Sequence, residues 1–398
     1  MRRHLRAGTV IAAFAMAALP ALAADPVKIG MLGDYSSLLA DQDGLPGVEA
    51  ARMAAEDFGG SVLGRPIQII HADHQSKADI GMTIARRWYD AEDVTAIVGI
   101  SNSSVALAVQ DLARERGQLS IVIGAASSDL TGPACSPTGF HWLYDTYALS
   151  HVIGQTLLKR GSRSWFFVTA DYAFGQSMQR ETMRVIAAAG GKVAGAVLAP
   201  QNTSDFSSYL LQAASSGADT IAFANVATDF INAVKQAHEF GLAEGRTLTG
   251  LLVFISDIHS IGLTLARGLL LTESFYWDLD DETRAWSARF TARTGKVPTQ
   301  VNAGNYSAVL HYLKAVRAAG TTEAAAVADK MRELPIEDFM THGGRARADG
   351  RVVRDLYLFK VKDPAESKGP WDLYTPIATI PGEQAFRPLS DGGCPHVR

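Results

Sequence analysis

The chain has 398 residues, 47% of them hydrophobic and 20% charged, with a formal net charge of −4. These are globular proportions with material for more than one core, which excludes a fibrous or disordered chain and makes two domains the expectation. A mildly acidic balance without a basic stripe argues against nucleic acid as a partner.

In chain order, Arg2, Arg3 and Arg6 come first and an uncharged run over 7–23 (AGTVIAAFAMAALPALA) follows, ending on the small residues Ala21 and Ala23. This is the layout of a secretory signal peptide cleaved after Ala23, because the run is short for a membrane span and a cleavage site closes it. An N-terminal core helix is the plainer reading, but three arginines ahead of it would have no packing purpose. The expected product is an exported, soluble protein, and no later run reaches the ~18 apolar residues of a spanning helix.

Beyond the leader, short apolar runs alternate with amphipathic ones. Strands are expected at 27–33, 66–72, 94–100, 119–125, 164–169, 192–198, 220–225, 248–255 and 268–276. Nearly continuous Val/Ile/Leu/Phe runs suit the inner strands of parallel sheets covered on both faces. Helical periodicity falls between them, at 48–58, 80–90, 104–116, 149–159, 176–189, 206–216, 230–240 and 283–294. Alternation of this kind predicts an α/β fold, and there are too many strands for one sheet, so two doubly wound lobes are expected.

Ligands of open α/β sheets bind beyond the carboxyl ends of the strands. The candidate loops are therefore 34–44, 101–104, 126–129, 170–174, 226–229 and 256–260. Several place Ser, Asn or Asp directly before a helix, and helix capping is the ordinary reason for such residues. Rings crowd the same loops: Trp142, Tyr144, Tyr147, Tyr172, Phe174, Phe254, Tyr276 and Trp277. Two or three of them are expected at a ligand, the rest in the core.

His71, Asp73 and His74 are too few for a metal centre, so neither metal nor cofactor is expected. Nucleophile-elbow, dinucleotide, Walker and H-E-x-x-H motifs are missing from the sequence, and an enzyme is not the expectation. Cys135 and Cys394, both in Gly/Pro contexts, read as a disulfide in an oxidising compartment, with two free thiols as the other reading.

The ordered set VKIGMLGDYS, DHQ, VGISNSSVALAV, GAASSDLTG, TADYAFG and a late GLLLT resembles the type I periplasmic substrate-binding proteins, in particular the Leu/Ile/Val-binding group that serves ABC importers. HWLYDTYALS, FISDIHSIG and ESKGPWD resemble a branch associated with aromatic acids. The resemblance covers essentially the whole mature chain. It implies two Rossmann-like lobes joined by three hinge strands. The first would be 25–144 with 275–333, the second 145–273 with 352–361. Residues 362–398 would form a C-terminal extension stapled back to the first lobe by Cys135–Cys394.

The resemblance also implies a ligand carboxylate held by Ser103 and Ser101 and by the Ala125 backbone and Ser127. Two helix N-termini aimed at one point would supply donors without a buried cation. Tyr35 and Tyr147 are further candidates, as are Phe174, Asn225, Thr228 and Asp257 from the second lobe. The family's glutamate-glycine is absent around Asp257. An Asp257 facing the cleft would favour an ammonium group on the ligand, whereas an Asp257 that caps the next helix would leave the ligand without one. The expected partners are a small carboxylate and an ABC permease in the inner membrane, and the chain itself is expected to be a monomer. The alternative is a ligand-sensing subunit that reports to a membrane receptor, and an exported hydrolase is the third possibility.

Overall fold

A computed structural model describes residues 25–397; the secretory leader expected over 1–23 lies outside the described residues. Two parallel sheets organise the chain. The first has six strands in the order Ser61–Val62, Arg65–Asp73, Val27–Gly33, Val94–Gly99, Leu119–Val122, Gly139–His141, with only the two-residue edge strand antiparallel. The second has four strands, Thr247–Gly250, Thr220–Ala224, Ser164–Ala170 and Lys192–Ala199, all parallel. The inner strands are the apolar runs read from the sequence, and Val94–Gly99, Leu119–Val122 and Thr220–Ala224 are almost wholly buried. Burial on both faces is why these strands read as continuous rather than alternating.

Each sheet has a switch point, where successive strands leave to opposite sides. In the first it lies between Val27–Gly33 and Val94–Gly99, and in the second between Ser164–Ala170 and Thr220–Ala224. Crevices form at such points, and the two sheets set them against each other.

Two smaller antiparallel sheets complete the chain. Leu270–Glu273, Leu356–Val361 and Tyr374–Ile380 form one; Ile336–Asp338, Thr341–Ala346 and Val352–Val353 form the other. Residues 374–380, expected in an appended extension, are thus a strand paired with Leu356–Val361. Cys135 and Cys394 form a disulfide with Cα atoms 5.6 Å apart. The tail it ties down packs under the loop after Leu119–Val122, where Arg387 donates to the Ser128 carbonyl at 3.2 Å.

Three expectations need correction. The strand expected over 248–255 stops at Gly250, and Ile255–Ile261 is a helix. The strand expected over 268–276 is only Leu270–Glu273. Two helices, Gln300–Ala319 and Ala324–Glu333, were not expected at all. The first of them packs along Gly44–Phe58 and is buried on nearly every side. An amphipathic stripe is therefore absent from its sequence.

Arg351 is buried where the chain crosses between the sheets. Its guanidinium donates to the carbonyls of His141, Leu143 (3.0 Å) and Tyr144 (3.2 Å) and to the Asp145 carboxylate at 3.3 Å. Asp145 in turn caps Thr146–Lys159 by accepting from the Ala148 N–H at 2.8 Å. One buried cation thus satisfies a run of carbonyls that no strand partner reaches.

Candidate functional site

A cavity lies between the carboxyl ends of the two sheets. From the first come Leu39 and Gln42 (after Val27–Gly33), Ser101 and Ser103 (after Val94–Gly99), and Gly124 and Ala126 (after Leu119–Val122). From the second come Tyr172 and Phe174 (after Ser164–Ala170), Val226 (after Thr220–Ala224), and Leu252 and Phe254 (after Thr247–Gly250). Val301 closes it from the first turn of Gln300–Ala319. The lining side chains nearly fill the space between them and leave room for about one water molecule. The two sheets are shut on one another, and a ring could enter only if they parted or the side chains gave way.

The polar wall is built by its loops. Asp34 folds the loop after the first strand by accepting from the Ser37 N–H (2.9 Å), the Leu39 N–H (3.2 Å) and the Ser76 hydroxyl (2.6 Å). Thr299 then donates its hydroxyl to the Gln42 carbonyl at 2.6 Å, which fixes Gln42 at the cavity. Across the cleft the Gln42 side-chain amide donates to Asp257 at 2.8 Å.

Ser103 accepts from the Ala126 and Ser127 N–H groups, each at 3.2 Å, so its own proton remains for another acceptor. The hydroxyl of Ser101, itself buried, has no hydrogen-bond partner. Asn102 caps Ser103–Glu115 by accepting from the Ser104 and Val105 N–H groups. At that helix end the donors aimed at the cavity are therefore hydroxyls rather than a row of free amides. The second expected helix N-terminus is only a 3₁₀ turn, Ser128–Thr131.

Rings make the opposite wall. Tyr172 and Phe174 lie 5.7 Å apart between centroids, and Phe254 is set edge-on to Tyr144 at 6.2 Å. Gly175 lets its helix approach the sheet closely, since a Cβ there would come within 2.1 Å of the Ala170 carbonyl oxygen. That approach carries Phe174 to the cavity. Two non-glycine residues next to the site, Ile100 (φ 53°) and Ala227 (φ 59°), hold the left-handed backbone. For a β-branched residue this is strained, and Ile100 is held by its N–H to the Leu32 carbonyl at 2.7 Å.

Of the residues singled out in the sequence, Ser101, Ser103 and Phe174 line the cavity, as do Tyr172 and Phe254 from the rings expected near a ligand. Asn225 is buried beside Val226, with neither side-chain atom bonded. The others are placed elsewhere. Ala125 donates its N–H to the Ile100 carbonyl, and its own carbonyl is paired with the His141 ring nitrogen at 2.7 Å. Ser127 is turned to the Asp129 N–H as a cap. Tyr35 gives its hydroxyl to the Met31 carbonyl at 2.9 Å, and Tyr147 stacks on His151 beside the C-terminal tail. Thr228 is exposed in the first turn of its helix. Gln42, Leu39, Val226, Leu252 and Val301 were not singled out. Only the loop rule pointed towards Gln42, Leu39 and Val226.

Asp257 caps its own helix. Its carboxylate accepts from the Phe254 N–H at 3.0 Å and from Gln42, and no cation faces it among the described residues. Burial raises its pKa to about 7, against the pull of those two donors. Burial likewise raises Asp43, behind the polar wall, to about 7; Ser101 and Asn305 stand close enough to oppose the rise, although the Ser101 hydroxyl makes no hydrogen bond to Asp43. His71 and His74 join no metal-binding group among the described residues.

The sequence pattern of the periplasmic binding proteins matches residues 26–369. The chain belongs to the periplasmic binding protein family. It is similar to a crystal structure of a periplasmic binding protein from Burkholderia mallei, with 46% identity, a TM-score of 0.93, and coverage of 94% of this chain and 100% of that one. A branched-chain amino acid ABC transporter periplasmic ligand-binding protein from Burkholderia xenovorans is 40% identical, with a TM-score of 0.82 over 93% of this chain and 99% of its own. A Leu/Ile/Val-binding protein homologue from Brucella abortus is 27% identical over 216 residues; the chain spans about half the length, 54%, of this curated relative. Among the described residues of this periplasmic binding protein, no helix is long and apolar enough to cross a membrane.

Proposed function

We propose that the protein is the solute receptor of an ABC import system and captures a small aromatic carboxylic acid by closing two lobes over it. The lobes would be 25–144 with 275–333 and 145–273 with 352–361, turning about the crossing that Arg351 braces. The observation that carries the ligand class is the lining. Hydroxyls and an amide stand on one wall and rings on the other, and no acidic or basic side chain lines the cavity among the described residues. An α-amino acid would bring an ammonium group that needs a carboxylate, and the nearest candidate, Asp257, has both oxygens committed to neutral donors. The tight enclosure favours a single ring.

The ligand would first meet Ser101 and Ser103, and the aromatic wall would then close over it. Gln42–Asp257 is one bond across the closed cleft; Ser128 to Glu181 at 3.1 Å and Arg180 to Asp129 at 2.8 Å are others. A ligand drives closure only by its preference for the closed form, and these bonds add to that preference. The test is a thermal-shift comparison of benzoate and cinnamate with phenylalanine and leucine. The acids should raise the melting temperature and the zwitterions should not. If only the zwitterions stabilise the protein, the ligand assignment is wrong although the receptor reading stands.

A further inference from the structure

Gln42 is held at both ends. Its backbone carbonyl accepts from the Thr299 hydroxyl at 2.6 Å, and its side-chain Nε2 donates to the Asp257 carboxylate at 2.8 Å. The second contact fixes which way the amide points, because a carboxylate accepts only from the NH2 end. The other end, Oε1, is buried without a hydrogen-bond partner, in a residue that is 3% exposed and lines the cavity. No hydroxyl of the polar wall bonds to it: Ser103 accepts from the Ala126 and Ser127 N–H groups, and Ser101 is itself unpaired. A buried carbonyl oxygen left without a donor costs stability.

The polar groups of the cavity thus make two different demands on a ligand. Ser101 and Ser103 offer protons, which a carboxylate accepts. Gln42 Oε1 offers a lone pair, which neither a carboxylate nor an unsubstituted ring can use. Benzoate would shut the cleft over that oxygen and leave it unpaired, whereas a ring with its own O–H or N–H would satisfy it. We propose that the ligand carries a hydrogen-bond donor on its ring, a hydroxyl or an amino group, and that Gln42 Oε1 selects for it. The proposal rests on the aromatic-acid reading of the cleft and narrows it. Gln42 then has two tasks: Nε2 ties the polar wall to the second lobe, and Oε1 reads the ring.

The test reads ratios of affinities, because any change at Gln42 also removes the bond to Asp257. The probes are meta- and para-hydroxybenzoate and meta- and para-aminobenzoate, against the fluorobenzoates of like size that lack a donor. Calorimetry is run at about pH 8, above the value near which Asp257 gives up its proton. At least one donor-bearing acid should bind about tenfold or more tighter than its fluoro counterpart. In Gln42→Met, which keeps the length of the side chain but not the acceptor, that ratio should fall to within about twofold of unity. Ser128→Ala removes a different bond across the closed cleft, the one to Glu181, and should weaken all the acids alike with the ratio intact. Fluoro analogues that bind the wild type as tightly as the donor-bearing acids overturn the proposal, and so does a ratio that persists in Gln42→Met; the aromatic-acid reading survives both. If only zwitterionic amino acids bind, that reading falls and the proposal with it. Melting curves of each variant confirm that it folds.

Discussion

The two walls of the cleft solve different problems. The wall from the six-stranded sheet is polar, and its geometry is set by hydrogen bonds: Asp34 shapes one loop, Thr299 pins Gln42, and two backbone N–H groups orient Ser103. The wall from the four-stranded sheet is aromatic and is set by close packing, as at Gly175. A carboxylate needs donors at fixed positions, while a ring needs only surface. The comparison teaches that the stiffer wall would decide which head group binds and the ring wall how tightly the rest is held.

Four experiments break or sharpen that contrast. The largest effect is expected from Ser101→Ala combined with Ser103→Ala. Each hydroxyl to a carboxylate is worth about 1.5–3 kcal/mol, so calorimetric affinity for the acid found by thermal shift should fall by about a hundredfold or more. Loss of less than about tenfold would move the head group elsewhere. Phe174→Ala should weaken the same acid by about ten- to a hundredfold with its head-group preference intact, because it removes only ring contact. A changed preference between benzoate and phenylalanine would contradict the division between the walls.

Gln42→Ala removes a bond between the walls rather than a ligand contact alone, so a loss of about three- to tenfold is expected. Small-angle scattering of the ligand-free variant should show a more open average shape, and identical scattering would deny Gln42 a part in closure.

The smallest effect concerns pH. Asp43 and Asp257 are raised to about 7 by burial from an ordinary 3.8. Between these values the folded chain keeps protons that the unfolded chain has lost, so the contribution of these two groups falls as pH rises from about 4 to about 7 and changes no further above. The melting temperature of the ligand-free protein should decline by a few degrees through that window, and Asp257→Asn should make the decline shallower. An equal slope in the variant would remove Asp257 from the account.

Much of this was legible beforehand, and the exceptions have physical causes. Most strands of the two parallel sheets and most helices up to residue 294 announce themselves by continuous or periodic burial, Ile255–Ile261 excepted, where an apolar run that reads as strand leads into the helix. Gln300–Ala319 does not, because it is buried all round and carries Asn302 and Asn305 towards the loop of Gln42 and Asp43. Strand-end loops pointed to Ser101, Ser103 and Phe174. They could not separate cavity-facing residues from caps, so Ser127 and Asp257 turned to backbone N–H groups and Thr228 to solvent. Ile100 gave no warning, since nothing in an isoleucine announces a left-handed backbone imposed by its neighbours.

The link between residues 135 and 394 joins positions 259 apart in a chain that has no other cysteine. Only one pairing within the molecule exists, so oxidation cannot scramble it and no isomerase is required to correct it. Nor can it form until residue 394 has been translated, 259 residues after its partner. The segment that backs the Ser128 turn is therefore locked only after both parallel sheets have been made, and whichever compartment supplies the oxidant decides when.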